Sequence, residues 1–321
     1  MDDTMINGDP RYLNYKFDFF TIPVLTACLP AIWLSPTIVI VIKIIKVYIH
    51  HLVKKREERI NHHVFTVIVL HLILSFCYLL ADFISIRMPA TGLITAWCAS
   101  LQPNHGLKLL FMMSAYFNYT AMLFPFMLSI LRLIPVYYPF KLEELCARIV
   151  RFGVPIIFLY PFCFCFALFP ALGDCRQLLG TYQFRRNIFL LHWVLGFGIH
   201  QSRGLLSNSI FWLCACTIAN FLLYRKFRKM RRERESAQIR KAELCLTLIT
   251  ISMFPSYFTN IGFLIAYLID RSYSAYAIAL RPFGSDCEFC FVAWIFYLTH
   301  PIFFKKRTSG VPKEETRATT L

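Results

Sequence analysis

The sequence predicts an all-α membrane protein built as a bundle of seven transmembrane helices. Three observations carry that prediction. Of 321 residues, 57% are hydrophobic and 16% charged, against roughly 45–50% and 25% in ordinary soluble domains. The apolar residues come in long runs without charge, and Lys and Arg are distributed unevenly among the segments between those runs. Thirty-two Phe and sixteen Tyr are too many for the cores of a soluble chain this size. Disorder, coiled coil, collagen-like repeat and disulfide-knotted module are excluded by the same composition.

Seven apolar windows lack Asp, Glu, Lys and Arg: 19–42, 64–81, 109–131, 152–173, 204–224, 244–269 and 289–304. About 20 residues at 1.5 Å each cross a ~30 Å hydrocarbon layer, so six of the seven suffice by length alone. The last must extend outward through Glu288 and Asp286, which places ionisable groups where protein or water has to receive them. An eighth patch, 188–198, is shorter and ends in Gly196-Phe197-Gly198; it reads as a folded or interfacial loop segment and not as a crossing.

Within the spans, prolines interrupt the helical period. Pro30 and Pro36 in the first, Pro125 in the third, Pro155, Pro161 and Pro170 in the fourth and Pro255 in the sixth each remove a donor and bend the axis, and Pro255 is a candidate hinge. The glycosylation-type triplet Asn118-Tyr119-Thr120 falls mid-span and is read as structural. The final window has no Lys, which rules out a retinal Schiff base there.

Orientation follows from charge. Segments after spans one, three, five and seven hold 24 basic and nine acidic residues; the rest of the chain holds ten and nine. Because cytoplasmic loops collect Lys and Arg, the amino terminus is expected outside and the carboxyl terminus in the cytosol. That explains the net charge of +16 without nucleic acid. Residues 1–18 are polar and the first apolar window is too long for a signal-peptide core, so a signal anchor is expected. The organisation is then an extracellular tail at 1–18, a membrane domain at 19–304 and a cytoplasmic tail at 305–321.

Twelve cysteines raise the question of metal. Cys163 with Cys165 and Cys214 with Cys216 sit two apart on helices and point about 200° away from each other, so no four-ligand zinc site forms. Cys98 and Cys175 differ, since both fall in outer connectors on the oxidising side. Either they bridge, pinning the second outer loop near the head of the third helix, or both remain free thiols. Cys98 lies 34 positions before Arg132, a length of ~51 Å if helical throughout, so it is expected in a connector. No phosphate loop, zinc-protease motif or nucleophile elbow is present, and neither enzyme activity nor a cofactor is expected.

Charges near or within the spans are candidates for function. Asp82 closes the second span, Arg132 ends the third, and Arg281, Asp286 and Glu288 lie at the outer part of the seventh. A polar cluster facing an outer vestibule is one reading; ordinary boundary charges in headgroup water are the other.

The run Asn118-Tyr119-Thr120 to Leu123-Phe124-Pro125-Phe126, followed by Leu128-Ser129-Ile130-Leu131-Arg132-Leu133-Ile134-Pro135, resembles the third helix of nematode serpentine chemoreceptors of the Srg superfamily. Tyr160-Pro161-Phe162, Asn208-Ser209 with Phe211-Trp212, Leu280-Arg281-Pro282-Phe283-Gly284 and Leu298-Thr299-His300-Pro301 are similar to the class U branch. The resemblance covers roughly residues 12–307. It implies a G-protein-coupled receptor in the plasma membrane, with the sensory cilium as one setting, whose partners are an outside small-molecule ligand, a heterotrimeric G protein and membrane lipids. It further implies a ligand site using Tyr116, Arg281, Asp286 and Glu288, and an inner coupling face using Arg132, Tyr137, Tyr138, Arg225 and Arg228. Arg132 would hold the resting bundle closed and then meet the G protein, although Leu131 stands where the family carries an acid. A seven-span channel or transporter is the alternative; it is disfavoured because no inverted repeat and no acid at the bilayer midplane are evident in the sequence.

Overall fold

The computed structural model describes residues 4–54, 62–177, 188–193, 201–230, 237–269 and 271–303. Among them, seven helical rods pack side by side. Helix 1 is Ile22–Cys28 continued by Ala31–Lys54; helix 2 is His62–Asp82, a wide π-type turn Phe83–Arg87, and Met88–Ala90. Helix 3 joins His105–Ala121 to Phe124–Tyr137, and helix 4 joins Leu142–Leu159 to Phe162–Cys165. Helix 5 is Gln201–Met230, helix 6 joins Ala237–Ser252 to Phe254–Ile269, and helix 7 is Arg271–Thr299.

Six of these are long and apolar enough to cross a membrane on composition alone. Helix 7 carries Arg271, Arg281, Asp286 and Glu288 and is instead fixed by packing against helices 1, 2 and 6. The rods outrun the uncharged windows, because a long Lys can lie along the helix and reach water. Helix 1 continues past Lys43, whose Nζ sits 5.8 Å from the centre of the Tyr297 ring.

Several discontinuities fall at the prolines the sequence marks. Helix 1 breaks at Pro30, helix 3 restarts with Pro125 in its first turn, helix 4 breaks at Tyr160 and Pro161, and helix 6 breaks at Met253 just before Pro255. Pro36 and Pro155 remain inside continuous helix. The break in helix 3 frees the Met122 carbonyl, which the Tyr257 hydroxyl of helix 6 takes up. Helix 3 is the axis of the bundle, with 72% of its apolar window buried against 17% for helix 4. Its Tyr119, Phe124, Leu128 and Leu131 join Ile68 and Leu72 of helix 2 and Phe289 and Phe296 of helix 7 in one core. Gly284 lets helices 6 and 7 touch, since any side chain there would collide with Thr259.

A small antiparallel sheet, not anticipated from the sequence, covers one end. Strand β1 (Thr4–Met5) pairs with β2 (Leu172–Gln177), and β2 pairs with β3 (Ile188–Trp193), with Cys175 opposite Leu190. The hairpin is tied to the head of helix 3 where Asn104 and Gly173 exchange backbone hydrogen bonds of 3.0 and 3.1 Å. Only Gly fits at 173, because a Cβ would run into the backbone of Leu107 and Lys108. Beneath the sheet lies a second core of Ile6, Tyr12, Cys98, Ala99, Leu107 and Cys175. The patch at 188–198 is thus a strand over 188–193, and its remainder, like the tail at 305–321, lies outside the described residues. The amino-terminal tail is folded here, with β1 followed by a short helix, Pro10–Leu13, capped by Asp9.

Candidate functional site

The half of the bundle nearer the sheet holds an ion network between helices 2, 6 and 7. Arg87 donates to both Asp286 carboxylate oxygens at 2.9 and 2.6 Å and to the Pro282 carbonyl at 3.1 Å. Its Nε stands 3.6 Å from Asp82. Six residues from Asp82 to Arg87 in an ordinary α-helix would turn the two side chains about 140° apart; the wide turn at Phe83–Arg87 brings them together. Arg281 donates to Asn260 at 2.8 Å and to the Tyr78 hydroxyl at 3.0 Å, and Asn260 reaches Asn118 on helix 3 at 3.5 Å. Two arginines and two aspartates therefore balance one another within the protein. All four are secluded from solvent to differing degrees, with Asp82 and Asp286 at 1% and 0% exposure.

This corrects the open vestibule as a setting for these charges, because the acids and Arg87 are enclosed by packed helices and paired. The pairing is incomplete at one point. Both Asp82 oxygens, the Arg87 Nε and the Ser85 hydroxyl are buried without a hydrogen-bond partner.

One level deeper, Glu288 of helix 7 faces His71 of helix 2 at 3.3 Å. His71 is nine residues from the start of helix 2 and Glu288 eleven from the end of helix 7, or about 14–17 Å of helix, and both side chains are buried.

At the end of the bundle away from the sheet, Arg132 is wholly buried and tied to the neighbouring helices. It donates to the Thr247 and Thr250 hydroxyls at 2.6 and 3.1 Å, to the Leu246 carbonyl at 3.3 Å and to Asn220 of helix 5 at 3.5 Å. Asn220 in turn donates to Ser129 at 2.9 Å. Leu131 precedes it, and two hydroxyls, a carbonyl and an amide oxygen hold the guanidinium. Tyr137, Tyr138, Arg225 and Arg228 are exposed around the same end, and Lys226 lies 5.2 Å from the Tyr137 ring centre. Phe140, between helices 3 and 4, is completely exposed.

The structure thus gathers Arg281 and Asp286 in one region and sets Glu288 below them. Tyr116 stands apart, its hydroxyl donating to the Phe158 carbonyl of helix 4 at 3.0 Å and its ring against Phe162. Cys98 lies in a short helix, Thr95–Ser100, in the connector before helix 3. It meets Cys175 in the outer core as a thiol, and hydrogen bonding to Cys98 together with burial pushes the Cys175 thiol up from its ordinary range. Arg87, His71, Asn260 and the two threonines were not singled out from sequence. Arg87 alone among them is a fixed charge, and five positions beyond Asp82 an ordinary helix points it away from that acid.

A family model described as the serpentine type seven-transmembrane GPCR chemoreceptor Sru matches residues 6–306. Serpentine receptor class U-26 of Caenorhabditis elegans is 34% identical over 260 residues, which cover 79% of this chain and 88% of that protein. The seven packed rods, the core along helix 3 and a match that spans all seven helices agree on one conclusion. The chain belongs to the Sru family of serpentine chemoreceptors, integral membrane proteins of the seven-helix type.

Proposed function

We propose that this protein is a chemosensory receptor that binds a small molecule from outside and signals to a cytosolic heterotrimeric G protein. The observation that carries the reading is the Arg132 tether. A buried guanidinium at the inner end of helix 3 holds helices 5 and 6 inward through four hydrogen bonds, two of them to hydroxyls on helix 6. Such a tether defines a closed state, and an open state needs only a competing partner for the same donors. The ligand acts by differential affinity for the two states, through the polar network of Arg281, Asp286 and Asn260 that links helices 2, 3, 6 and 7. The same reading adds Glu288, below that network on helix 7, and Tyr116, on the helix 4 side of helix 3, to the ligand site, and the coupling face comprises Arg132, Tyr137, Tyr138, Arg225 and Arg228. The same reading puts the amino terminus outside, the receptor in the plasma membrane of a sensory cell, a Cys98–Cys175 bridge in the outer core, and the family within the Srg superfamily, on the third-helix motif.

The test uses full-length receptor in cells with a calcium or cAMP readout and a ligand panel. Arg132→Ala should abolish responses at undiminished surface level. Replacing Thr247 and Thr250 together by Val removes two charge-assisted hydrogen bonds, worth ~1.5–3 kcal/mol each at most, and should raise basal signalling severalfold. Ligand-evoked currents that persist without any G protein would replace this reading with that of a channel.

A further inference from the structure

We propose that the ligand is a small organic carboxylate, held between Arg281 of helix 7 and Tyr119 of helix 3 in the interior of the bundle. The inference rests on the receptor reading for what binding achieves, though not for the binding itself. It starts from a difference between two arginines. Arg87 is saturated by acids, with Asp286 on both Nη groups and Asp82 3.6 Å from its Nε. Arg281 is not. Its Nε donates to Asn260 at 2.8 Å and one Nη to the Tyr78 hydroxyl at 3.0 Å, both neutral partners. Among the described residues no carboxylate stands within 4 Å of it, because Asp82 and Asp286 face Arg87 and Glu288 faces His71. Its other Nη, with two of the five N–H groups of a guanidinium, has no protein partner among the described residues. Unlike the Arg87 Nε, that atom is not sealed from solvent, and Arg281 as a whole is only half-buried. A cation set among membrane helices without an acid beside it marks a place where a guest is received.

The bonds that Arg281 does make fix where its open end points. Tyr78 belongs to helix 2 and Asn260 to helix 6, the two neighbours that flank helix 7 here, so the side chain is turned to the axis of the bundle and away from lipid. Across the axis stands Tyr119 of helix 3, within electrostatic reach of Arg281. The Tyr119 ring is stacked on Phe164 with centres 4.7 Å apart. Its hydroxyl has no hydrogen-bond partner among the described residues and also keeps contact with solvent. Beside that hydroxyl helix 5 presents Gly204, where an added Cβ would come no closer than 3.8 Å to Phe164 and 3.9 Å to the Tyr119 oxygen. The flank of the two rings is therefore left uncovered from this position. Two open donors facing one interior space, one of them a fixed cation, select an acceptor that carries negative charge. A carboxylate has two accepting oxygens and no hydrogen, so it can take one bond from Arg281 and one from Tyr119. An ammonium would oppose Arg281, and an amide would bring no charge and turn its own N–H groups toward donors. The apolar remainder of the ligand would lie toward Gly204, against Phe164.

The test is thermal unfolding of full-length receptor in phosphatidylcholine nanodiscs, titrated with the straight-chain carboxylates from acetate to octanoate and with benzoate, each beside its matching amide and amine. At least one carboxylate should raise the melting temperature saturably, with a half-saturating concentration about tenfold below that of its amide, and its amine should have no effect. Tyr119→Phe removes one donor and keeps the ring, and should raise that concentration about tenfold. Gly204→Leu, which fills the space from helix 5 and leaves both donors in place, should do at least as much. Arg281→Gln should erase the preference for carboxylate over amide; where that variant does not fold, the other two decide. The proposal is overturned if no carboxylate outperforms its amide, if sodium chloride at equal concentration has the same effect, or if affinity is unchanged in both Tyr119→Phe and Gly204→Leu. Because unfolding needs no G protein, a carboxylate that stabilises the receptor yet evokes no calcium or cAMP response would refute the signalling reading and leave this site standing.

Discussion

Arg87 and Asp286 show how a single pair can decide a membrane fold. Each is almost fully buried, at 7% and 0% exposure, and their two-pronged contact of 2.6 and 2.9 Å crosses from helix 2 to helix 7. Removing one partner strands the other charge in a low-dielectric interior, at a cost of about 3–5 kcal/mol, whereas replacing both by apolar residues of similar volume is near neutral. Arg87→Met and Asp286→Leu alone should each lower the melting temperature of the purified receptor markedly, and the double variant should recover most of the loss. Additive losses would show that the two do not act as a pair. Half of this network could be read in the sequence, because Asp82, Arg281, Asp286 and Glu288 are visibly charges set in or beside apolar runs. Arg87 and His71 could not be assigned to it. The first depends on a wide turn that no spacing rule announces, and the second is an uncharged residue whose partner lies more than two hundred positions away.

Elements were more legible than contacts. The uncharged windows located all seven rods, since hydrocarbon demands continuous apolar helix and tolerates few departures, and prolines marked four of the breaks. Helix ends were less accurate because helix 1 continues through Lys43 and Lys46 well beyond its window, Lys43 setting its Nζ 5.8 Å from the Tyr297 ring centre. The outer sheet could not be foreseen. Its strands are two to six residues long, and β1 and β2 are separated by four spans, so no local pattern pairs them. What that sheet does is hold Cys175 over Cys98 in a shared core. A bridge there would close a loop of roughly 75 residues and restrict the unfolded chain by about 4 kcal/mol. Cys98→Ala and Cys175→Ala should therefore impair surface delivery equally, and the double variant no further than either alone. Unequal single effects, or a clearly worse double variant, would indicate two separate thiols.

At the scale of the whole molecule, two independent arguments about topology meet. Strand β1 pairs with the loop after helix 4, and an even number of crossings between them obliges both to lie on one side of the membrane. Charge then chooses which side, because the segments after helices 1, 3, 5 and 7 hold 24 of the 34 basic residues and a basic loop is retained in the cytosol. The two arguments fail differently, which makes them separable. An epitope before residue 1 and another inserted between residues 178 and 187 should both be stained on intact cells, while a tag after residue 321 should require permeabilisation. If both outer epitopes were hidden and the carboxyl-terminal tag exposed, the charge argument would fall and the fold would survive inverted. If the two outer epitopes differed from each other, the pairing of β1 with β2 would fall, and with it the sheet that ties Gly173 to the head of helix 3.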